Sequence, residues 1–277
     1  MALVITTNVA SLNAQRNLVK TNRSMDESLA RLSSGYRINK AADDAAGLAI
    51  SENLRAQIRG MGQANRNAND GISLVQVAEG GLNEVSNMLI RLRELGVEAA
   101  SDTVDDTGRK FLDVEYQQLK SEIQRVSEVT TFNGTDLLNG TGGILDIQVG
   151  VHNDPFKDRI SFNTAAADST LGALGMQAEA VSTKEQAQNS LSTVDDAMIS
   201  VNAMRANFGA MQNRLQSTIQ NLLIAHENLS AANSRIRDTD IAAETSELTR
   251  NNILKQAGVS VLSQANQTQQ IALKLLG

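Results

Sequence analysis

Two short stretches of the sequence carry side chains that could do acid–base or metal chemistry. Asp43 and Asp44 are adjacent carboxylates, and a hydrolase uses two such groups as general acid and general base. His226 is followed by Glu227, which matches the first half of the H-E-x-x-H pattern of zinc proteases. Either pattern, if it were complete, would indicate an enzyme.

Neither pattern is complete. Ser230 occupies the position of the second zinc-binding histidine, and the chain has only 2 histidines. Neighbouring residues on a helix project about 100° apart, a poor geometry for two carboxylates that share one substrate. Acidic residues at the start of a helix are instead stabilised by the helix dipole. We therefore predict that Asp43 and Asp44 begin a helix, and that the chain has no catalytic, metal or cofactor site.

The residues around these two stretches favour long helices. Apolar side chains recur at alternating steps of three and four over 43–100 and again over 182–236. The single proline is Pro155, so no proline interrupts either stretch. A helix over 43–100 would measure on the order of 80 Å, which favours a structural protein over a compact enzyme.

Shorter elements complete the predicted fold. An apolar stripe over 112–126 predicts a helix that folds back antiparallel on the first. Apolar and polar residues alternate on both sides of a turn at 152–155, which predicts a β-hairpin at about 144–163. Ser182 and Glu185 fit a capping box that opens the third helix. The predicted fold class is mainly α: an elongated antiparallel long-helix bundle or coiled coil with a small β-hairpin, and with the N- and C-terminal helices paired at one end.

Each chain end carries an amphipathic segment next to a polar joint. A short helix with an unburied apolar face is marginal in water. The two segments would pair with each other, or stay disordered until they meet another copy of the chain. We predict that their apolar residues mediate subunit assembly, and these residues are Ile5, Val9, Leu12, Leu29, Leu32, Leu254, Val261, Ile271 and Leu275. The joint next to the first segment comprises Ser33, Ser34, Gly35, Asp43 and Asp44.

Composition narrows the function classes. Hydrophobic residues make up 41% of the 277 residues and charged residues 20%, so the chain can bury a core. The net charge is −6 and no basic stripe with interleaved aromatic residues occurs, which argues against nucleic acid binding. No apolar run reaches about 18 residues, so we expect no insertion into a membrane. Residues 1–20 lack the basic and apolar regions of a secretory signal peptide.

The first joint and both chain ends resemble one protein family. Three segments are similar to signature segments of bacterial flagellin: LSSGYRINKAADDAAGLAISENLRAQIRG, the opening TNVASLNAQRNL, and the close SRIRDTDIAAETSELTRNNILKQAGVSVLSQANQTQQIALKLLG. The likeness covers roughly residues 1–140 and 182–277. It implies a structural subunit without enzyme activity, which polymerises into the flagellar filament for swimming motility.

The resemblance also implies a division into domains. Residues 1–43 and 235–277 would form the two halves of an inner terminal coiled-coil domain, and residues 44–234 a rod-like helical core domain with the β-hairpin. Residues 33–44 would form the joint between these layers. The variable outer domains common in the family would lie between the hairpin and the third helix. Only residues 164–181 occupy that place, so the chain resembles a short flagellin without those domains.

Partners and location follow from the same resemblance. It implies a helical homopolymer in the extracellular filament, exported by the flagellar type III apparatus. An export chaperone would bind the C-terminal segment, and the filament cap and hook-junction proteins would be neighbours. Arg91, Leu95 and Glu115 match positions of a surface recognised by Toll-like receptor 5, although Leu92 and Leu95 could equally pack the filament.

Two alternative functions stay open at this point. A hook–filament junction protein of the same family shares such chain ends. A helical signalling hairpin of the chemoreceptor kind would show similar apolar spacing, but it requires membrane-spanning segments.

Overall fold

A computed structural model describes the backbone of residues 7–274 and the side chains of residues 7–268. Over this range the chain is mainly helical with two short antiparallel strand pairs, which confirms the predicted fold class. The helices are α1 Val9–Ser34, α2 Ala45–Ala99, α3 Asp106–Val129, α4 Lys184–Arg237 and α5 Ile241–Lys274. The strands are β1 Thr131–Phe132, β2 Thr135–Asp136, β3 Ile144–Gln148 and β4 Arg159–Asn163. Between residues 7 and 274, no helix combines the length and apolarity needed to cross a bilayer.

Contacts divide the chain into two units. The terminal unit comprises the residues up to Ala56 together with those from Asn228 onward, and the core unit comprises Gln57–Glu227. Both α2 and α4 contribute residues to each unit. The terminal unit also contains α1 and α5, which pack against each other.

The core unit is built around the apolar stripe of α2. Leu82, Val85, Leu89 and Leu92 are fully buried, at the three-and-four spacing that one face of a helix requires. The facing helices supply Tyr116, Ile123, Val194, Val201 and Phe208. Burial of one large apolar side chain contributes about 1.5–3 kcal/mol. This cluster therefore accounts for much of the favourable free energy of the unit.

The β-hairpin predicted at about 144–163 is present as β3 and β4. Leu145 pairs with Phe162 and Ile147 with Ile160 in the antiparallel register. Ile147, Ile160 and Phe162 are buried. Gly71 of α2 makes room for this face, because a Cβ atom at Gly71 would lie 2.6 Å from Ile147 Cδ1. The hairpin is thereby held closely on α2.

A second hairpin was not predicted from the sequence. β1 and β2 pair antiparallel around the two-residue turn Asn133–Gly134, whose φ angles are 50° and 79°. Positive φ at both turn residues is typical of the type I′ turn, which favours Asn-Gly. The Asn-Gly dipeptide after a helix was therefore a usable signal for this hairpin.

The start of α4 differs by one residue from the predicted capping box. The backbone N–H of Gln186 donates to Thr183 Oγ1 at 3.3 Å, so Thr183 caps the helix instead of Ser182. Thr183 and Gln186 satisfy the same Ser/Thr-x-x-Glu/Gln pattern. Two overlapping matches occur in this stretch, and the pattern alone does not choose between them.

The connection from β4 to α4 is fastened to α3 by a buried lysine. Lys120 Nζ donates to the carbonyl oxygens of Gln177 and Glu179, at 3.2 Å and 2.6 Å. Asp113 Oδ1 accepts the backbone N–H of Val181 at 2.9 Å. Burial lowers the pKa of Lys120. This connection is therefore part of the folded core unit.

Gly80 and Gly81 of α2 provide a matched test of helix packing. Nothing lies within 4 Å of a Cβ atom at Gly80, whereas a Cβ at Gly81 would lie 2.7 Å from Leu138 Cδ1 and 2.8 Å from Thr130 Oγ1. Gly80→Ala should raise the free energy of unfolding by about 0.5–1 kcal/mol, because alanine restricts the unfolded chain. Gly81→Ala should lower it by about 1–3 kcal/mol through overpacking.

Thermal unfolding followed by circular dichroism measures both variants against the parent chain. Equal shifts of the midpoint in the two variants would contradict the close approach of α2 to Leu138 and Thr130.

Candidate assembly surfaces

α1 and α5 pack against each other mainly through small and polar residues. Their buried side chains are Ser11, Ala14, Ser28 and Asn251. Ser11 Oγ donates to Asn266 Oδ1 at 3.0 Å. Gly258 admits Leu18, because a Cβ atom at position 258 would lie 3.1 Å from the leucine side chain. The contact between the two helices therefore leaves most of their large apolar side chains exposed to solvent.

The predicted assembly residues are mostly exposed in the terminal unit. The exposed fractions are 61% for Val9, 51% for Leu12 and 46% for Leu29 on α1. On α5 they are 50% for Leu254 and 58% for Val261. Exposure of this many large apolar residues on one helix pair is typical of a surface that binds another protein.

The other four predicted assembly residues have different outcomes. Leu32 is half-buried at the end of α1. The backbone of Ile271 belongs to α5, and its side chain lies outside the described residues. Ile5 and Leu275 also lie outside the described residues.

Further exposed apolar residues were missed by the sequence analysis, namely Val19, Ile241, Ile253 and Val259. Ile241 and Val259 lie roughly 140° around the α5 axis from Leu254, at 100° per residue. α5 therefore presents apolar side chains on more than one face. A count of apolar residues on every face, instead of along one stripe, would have found them.

The chain segments that follow α1 and α4 are bonded to each other. Gly35, with φ 74°, ends α1, and its carbonyl oxygen accepts the backbone N–H of Thr239 at 3.0 Å. The N–H of Arg37 donates to the carbonyl oxygen of Arg237 at 2.7 Å. Ser33 and Ser34 are the last residues of α1. The two joints therefore form one hydrogen-bonded piece, which no local sequence pattern indicates.

The side chain of Arg237 makes two further contacts that stabilise the hydrogen-bonded joint. The guanidinium carbon of Arg237 lies 4.7 Å from the centre of the Tyr36 ring, within the range of a cation–π interaction. The same side chain donates to Glu52 Oε1 at 2.5 Å. This hydrogen bond holds the pKa of Glu52 below its ordinary value.

Both carboxylates of the acidic pair accept backbone hydrogen bonds. Asp43 Oδ2 accepts the N–H groups of Lys40 and Asn39, at 2.9 Å and 3.0 Å. These two bonds, that of Lys40 first, lower the pKa of Asp43. Asp44 Oδ1 accepts the N–H of Gly47 at 2.8 Å and so caps the first turn of α2. One carboxylate closes the turn before the helix and the other begins the helix.

The three residues matched to the receptor surface differ in their exposure to solvent. Arg91 and Glu115 are exposed and form an ion pair at 2.9 Å between α2 and α3, and Arg91 also pairs with Glu94 at 2.9 Å. Leu95 is fully buried in the core of the unit. The structure therefore does not support a direct contact of Leu95 with a partner. The sequence match could not distinguish the buried face of α2 from the exposed one.

His226 is the residue at which the sequence shows half of a zinc-protease pattern. Among the side chains described here, no group of three His, Cys, Asp or Glu residues lies close enough together to hold a metal ion. His226 lies half-buried on α4, in the stretch where α4 passes from one unit to the other.

Comparison with known proteins agrees with this architecture. Residues 5–142 match the family model of the bacterial flagellin N-terminal helical region, and residues 191–276 match that of the C-terminal helical region. A flagellin of Halalkalibacterium halodurans is 44% identical over 99% of this chain and 100% of its own length. The flagellar filament 33 kDa core protein of Treponema phagedenis is 40% identical, with the same coverage of both chains.

A solved structure agrees as well. The crystal structure of Bacillus cereus flagellin is 31% identical and has a TM-score of 0.51, and the match covers 57% of this chain and 88% of that one. Helical regions matched at both ends, and relatives aligned along their whole length, show that this chain belongs to the bacterial flagellin family.

Proposed function

We propose that this chain polymerises through the exposed apolar faces of α1 and α5. As a member of the flagellin family it is a structural subunit of the bacterial flagellar filament, and it assembles with copies of itself. The observation that supports this particular interface is the exposure of Val9, Leu12, Leu254 and Val261 on two helices that pair through polar residues. The relatives named above favour a filament subunit over a hook–filament junction protein.

The physical driving force is the removal of apolar surface from water. Each Å² of buried apolar area contributes about 25 cal/mol. The presence of apolar residues on several faces of α5 supports contacts with more than one neighbour. Contacts between unlike surfaces of identical subunits, repeated without closure, generate a helical polymer.

The domain division predicted from the sequence is part of this proposal. Residues 1–43 and 235–277 form an inner layer of the filament, and residues 44–234 form the layer outside it. The hydrogen bonds between residues 35–37 and 237–239, just inside the proposed inner layer, support a joint in which the two chain segments act together. The role of the chain is mechanical and not catalytic, as expected of a structural protein family.

We also infer the route and the partners of the chain. It is exported by the flagellar type III apparatus to the cell exterior, with a chaperone on the C-terminal segment. The exposed apolar residues of α5 support a chaperone, because such a surface would associate prematurely if it were left uncovered. The filament cap and the hook-junction proteins are its neighbours in the flagellum.

A second function is recognition of the monomer by Toll-like receptor 5. The exposed ion pair between Arg91 and Glu115 supports it, because the pair presents both charges on one surface of the core unit. Leu95 contributes to this surface only indirectly, by packing α2 into the core.

Assembly is tested on the double variant Leu254→Ser and Val261→Ser. Both side chains are at least half exposed in the terminal unit, so the midpoint of thermal unfolding should fall by no more than about 5 °C. Loss of two apolar contacts, at about 1.5–3 kcal/mol each when fully buried, should raise the critical concentration on the order of a hundredfold. Sedimentation and electron microscopy after salt-induced assembly measure it.

The matched control is Gln256→Ser with Gln264→Ser, two exposed polar positions of the same helix. Assembly of the apolar double variant at the parent critical concentration would refute the interface.

Receptor recognition is tested with monomeric protein in reporter cells. Arg91→Ala and Glu115→Ala should each lower the response at least about tenfold without a change in unfolding, because each removes an exposed charge. Leu95→Ala should instead lower the free energy of unfolding by about 2–5 kcal/mol.

Arg125→Ala, which breaks an exposed pair with Glu122 on α3, is the control for loss of charge. A full response from both the Arg91 and the Glu115 variants would remove the receptor function.

A further inference from the structure

The chain contains two Asn-Gly dipeptides, Asn133–Gly134 and Asn139–Gly140, and a threonine follows each of them. An asparagine before glycine can react with its own backbone, because glycine has no side chain to shield its nitrogen from the asparagine amide carbon. Both glycines have positive φ, 79° and 75°, so both dipeptides lie at turns of the backbone. The two dipeptides therefore share their local sequence and their glycine conformation, and they differ in their surroundings.

The first dipeptide is open to solvent. Asn133 is exposed at the turn between β1 and β2, and its side chain makes no hydrogen bond or ion pair with any residue that the structure describes. Gly134 is exposed as well, and a Cβ atom at that position would have nothing within 4 Å. The amide carbon of Asn133 and the backbone nitrogen of Gly134 are therefore both unhindered.

The hairpin that holds this turn is short. Strands β1 and β2 have two residues each. A hairpin of this size is marginally stable by itself, so the turn can open locally while the helices stay folded. Opening is needed because the Gly134 nitrogen reaches the amide carbon of Asn133 only by rotation about the Cα–C bond of Asn133, which strand pairing restricts.

The second dipeptide has the opposite surroundings. Asn139 Nδ2 donates to Asp136 Oδ2 at 2.7 Å, and Asn139 Oδ1 accepts the backbone N–H and the hydroxyl of Thr141, at 3.0 Å and 2.7 Å. A Cβ atom at Gly140 would lie 2.9 Å from Asp168 Oδ2. The asparagine side chain is therefore fixed at both of its polar atoms, and the glycine beside it is crowded.

We propose that Asn133 is a site of spontaneous modification, at which the chain converts its own asparagine into aspartate and isoaspartate. The only co-reactant is solvent water. Asn139 stays intact in the folded chain, because its side chain is held in place and its glycine is shielded. The reaction takes place within a single chain, so it does not require the assembly surfaces described above.

The first step closes a ring. The backbone nitrogen of Gly134 loses its proton to a base in the solvent and attacks the amide carbon Cγ of Asn133. A bond forms between this nitrogen and Cγ, and the bond between Cγ and Nδ2 breaks. Nδ2 takes a proton from the solvent and leaves as ammonia. The product is a cyclic imide that still joins the two residues.

The second step opens the ring with one water molecule. Water adds to either carbonyl carbon of the imide, and the bond from that carbon to the Gly134 nitrogen breaks. Cleavage at Cγ gives aspartate with an ordinary backbone. Cleavage at the backbone carbonyl carbon of residue 133 gives isoaspartate, in which the backbone runs through Cγ. In both products a carboxylate has replaced the amide, with water consumed and ammonia released.

The product changes the surroundings of the β1–β2 turn. Asn133 lines a cleft between α2 and the two hairpins, together with Asp70 and Asp146. A carboxylate at position 133 places a third negative charge in this cleft. The additional backbone methylene of isoaspartate also disrupts the spacing of a type I′ turn. Refolding does not reverse either change, so the extent of conversion records the age of the chain.

The test follows both dipeptides in the folded, full-length chain during incubation in buffer. Mass spectrometry with fragmentation should show replacement of the amide NH2 by OH at position 133, increasing with time. An isoaspartate-specific methyltransferase should transfer labelled methyl groups from S-adenosylmethionine to the same peptide. Conversion at Asn139 should be on the order of a hundredfold slower, because three hydrogen bonds must break first. The rate at position 133 should rise with pH, because a base removes the proton from the attacking nitrogen.

The same chain in concentrated urea is the matched control. Both segments read Asn-Gly-Thr, so without the fold they should react at similar rates. In the folded chain, Asn133→Gln should remove the isoaspartate signal, because the longer side chain closes a ring with the backbone nitrogen much more slowly. Circular dichroism verifies that this variant keeps the helix content of the parent.

Two results would overturn the proposal. Equal conversion at Asn133 and Asn139 in the folded chain would show that the surroundings do not select the site. An intact Asn133 in the folded chain, under conditions in which both asparagines convert in urea, would show that the fold protects the turn.

Discussion

Two helices can approach closely only where the side chains between them are small, and this constraint decides which residues of the terminal unit are left for other molecules. α1 and α5 meet through Ser11, Ala14, Ser28 and Gly258. A heptad seam of leucines would have buried the apolar residues within one chain. Here small residues form the closest contact inside the chain, and large residues such as Leu12 and Leu254 stay about half exposed.

The core unit follows the opposite rule. Leucine and valine side chains of α2, Tyr116 and Ile123 of α3, and valine and phenylalanine side chains of α4 pack together and are fully or almost fully buried. A lysine and a short connection close the unit at the side of α3. This unit has a continuous apolar core, whereas α1 and α5 of the terminal unit bury few large apolar side chains between them. One chain thus contains a unit built around a large apolar core and a helix pair that packs mainly through small and polar residues.

Regular spacing in the sequence was enough to predict the long helices and the β3–β4 hairpin, because one face of each is buried. Spacing alone was not enough where two sets of residues satisfy the same sequence pattern. Thr183 and Ser182 both begin a capping box, and only the structure selects Thr183. The neighbours of Leu95 in the sequence are mostly exposed, yet Leu95 lies on the face of α2 that packs into the core. Family resemblance marked the right segment without saying which way each side chain faces.

The spacing of apolar residues could not predict contacts between segments that are distant in the sequence. No pattern within residues 33–44 indicates that Arg37 binds the backbone of Arg237, since the two are far apart in the chain. The β1–β2 hairpin is a different case, because its Asn-Gly turn was a local signal that was overlooked.

The bonded joint has a mechanical consequence. Because Gly35 and Arg37 share backbone hydrogen bonds with Thr239 and Arg237, a pull on either terminal helix is divided between two covalent strands running side by side. The same two hydrogen bonds couple the end of α1 to the segment that leads into α5. The load on a subunit changes direction when a filament reverses its rotation. Two hydrogen-bonded chain segments can share that load in either direction.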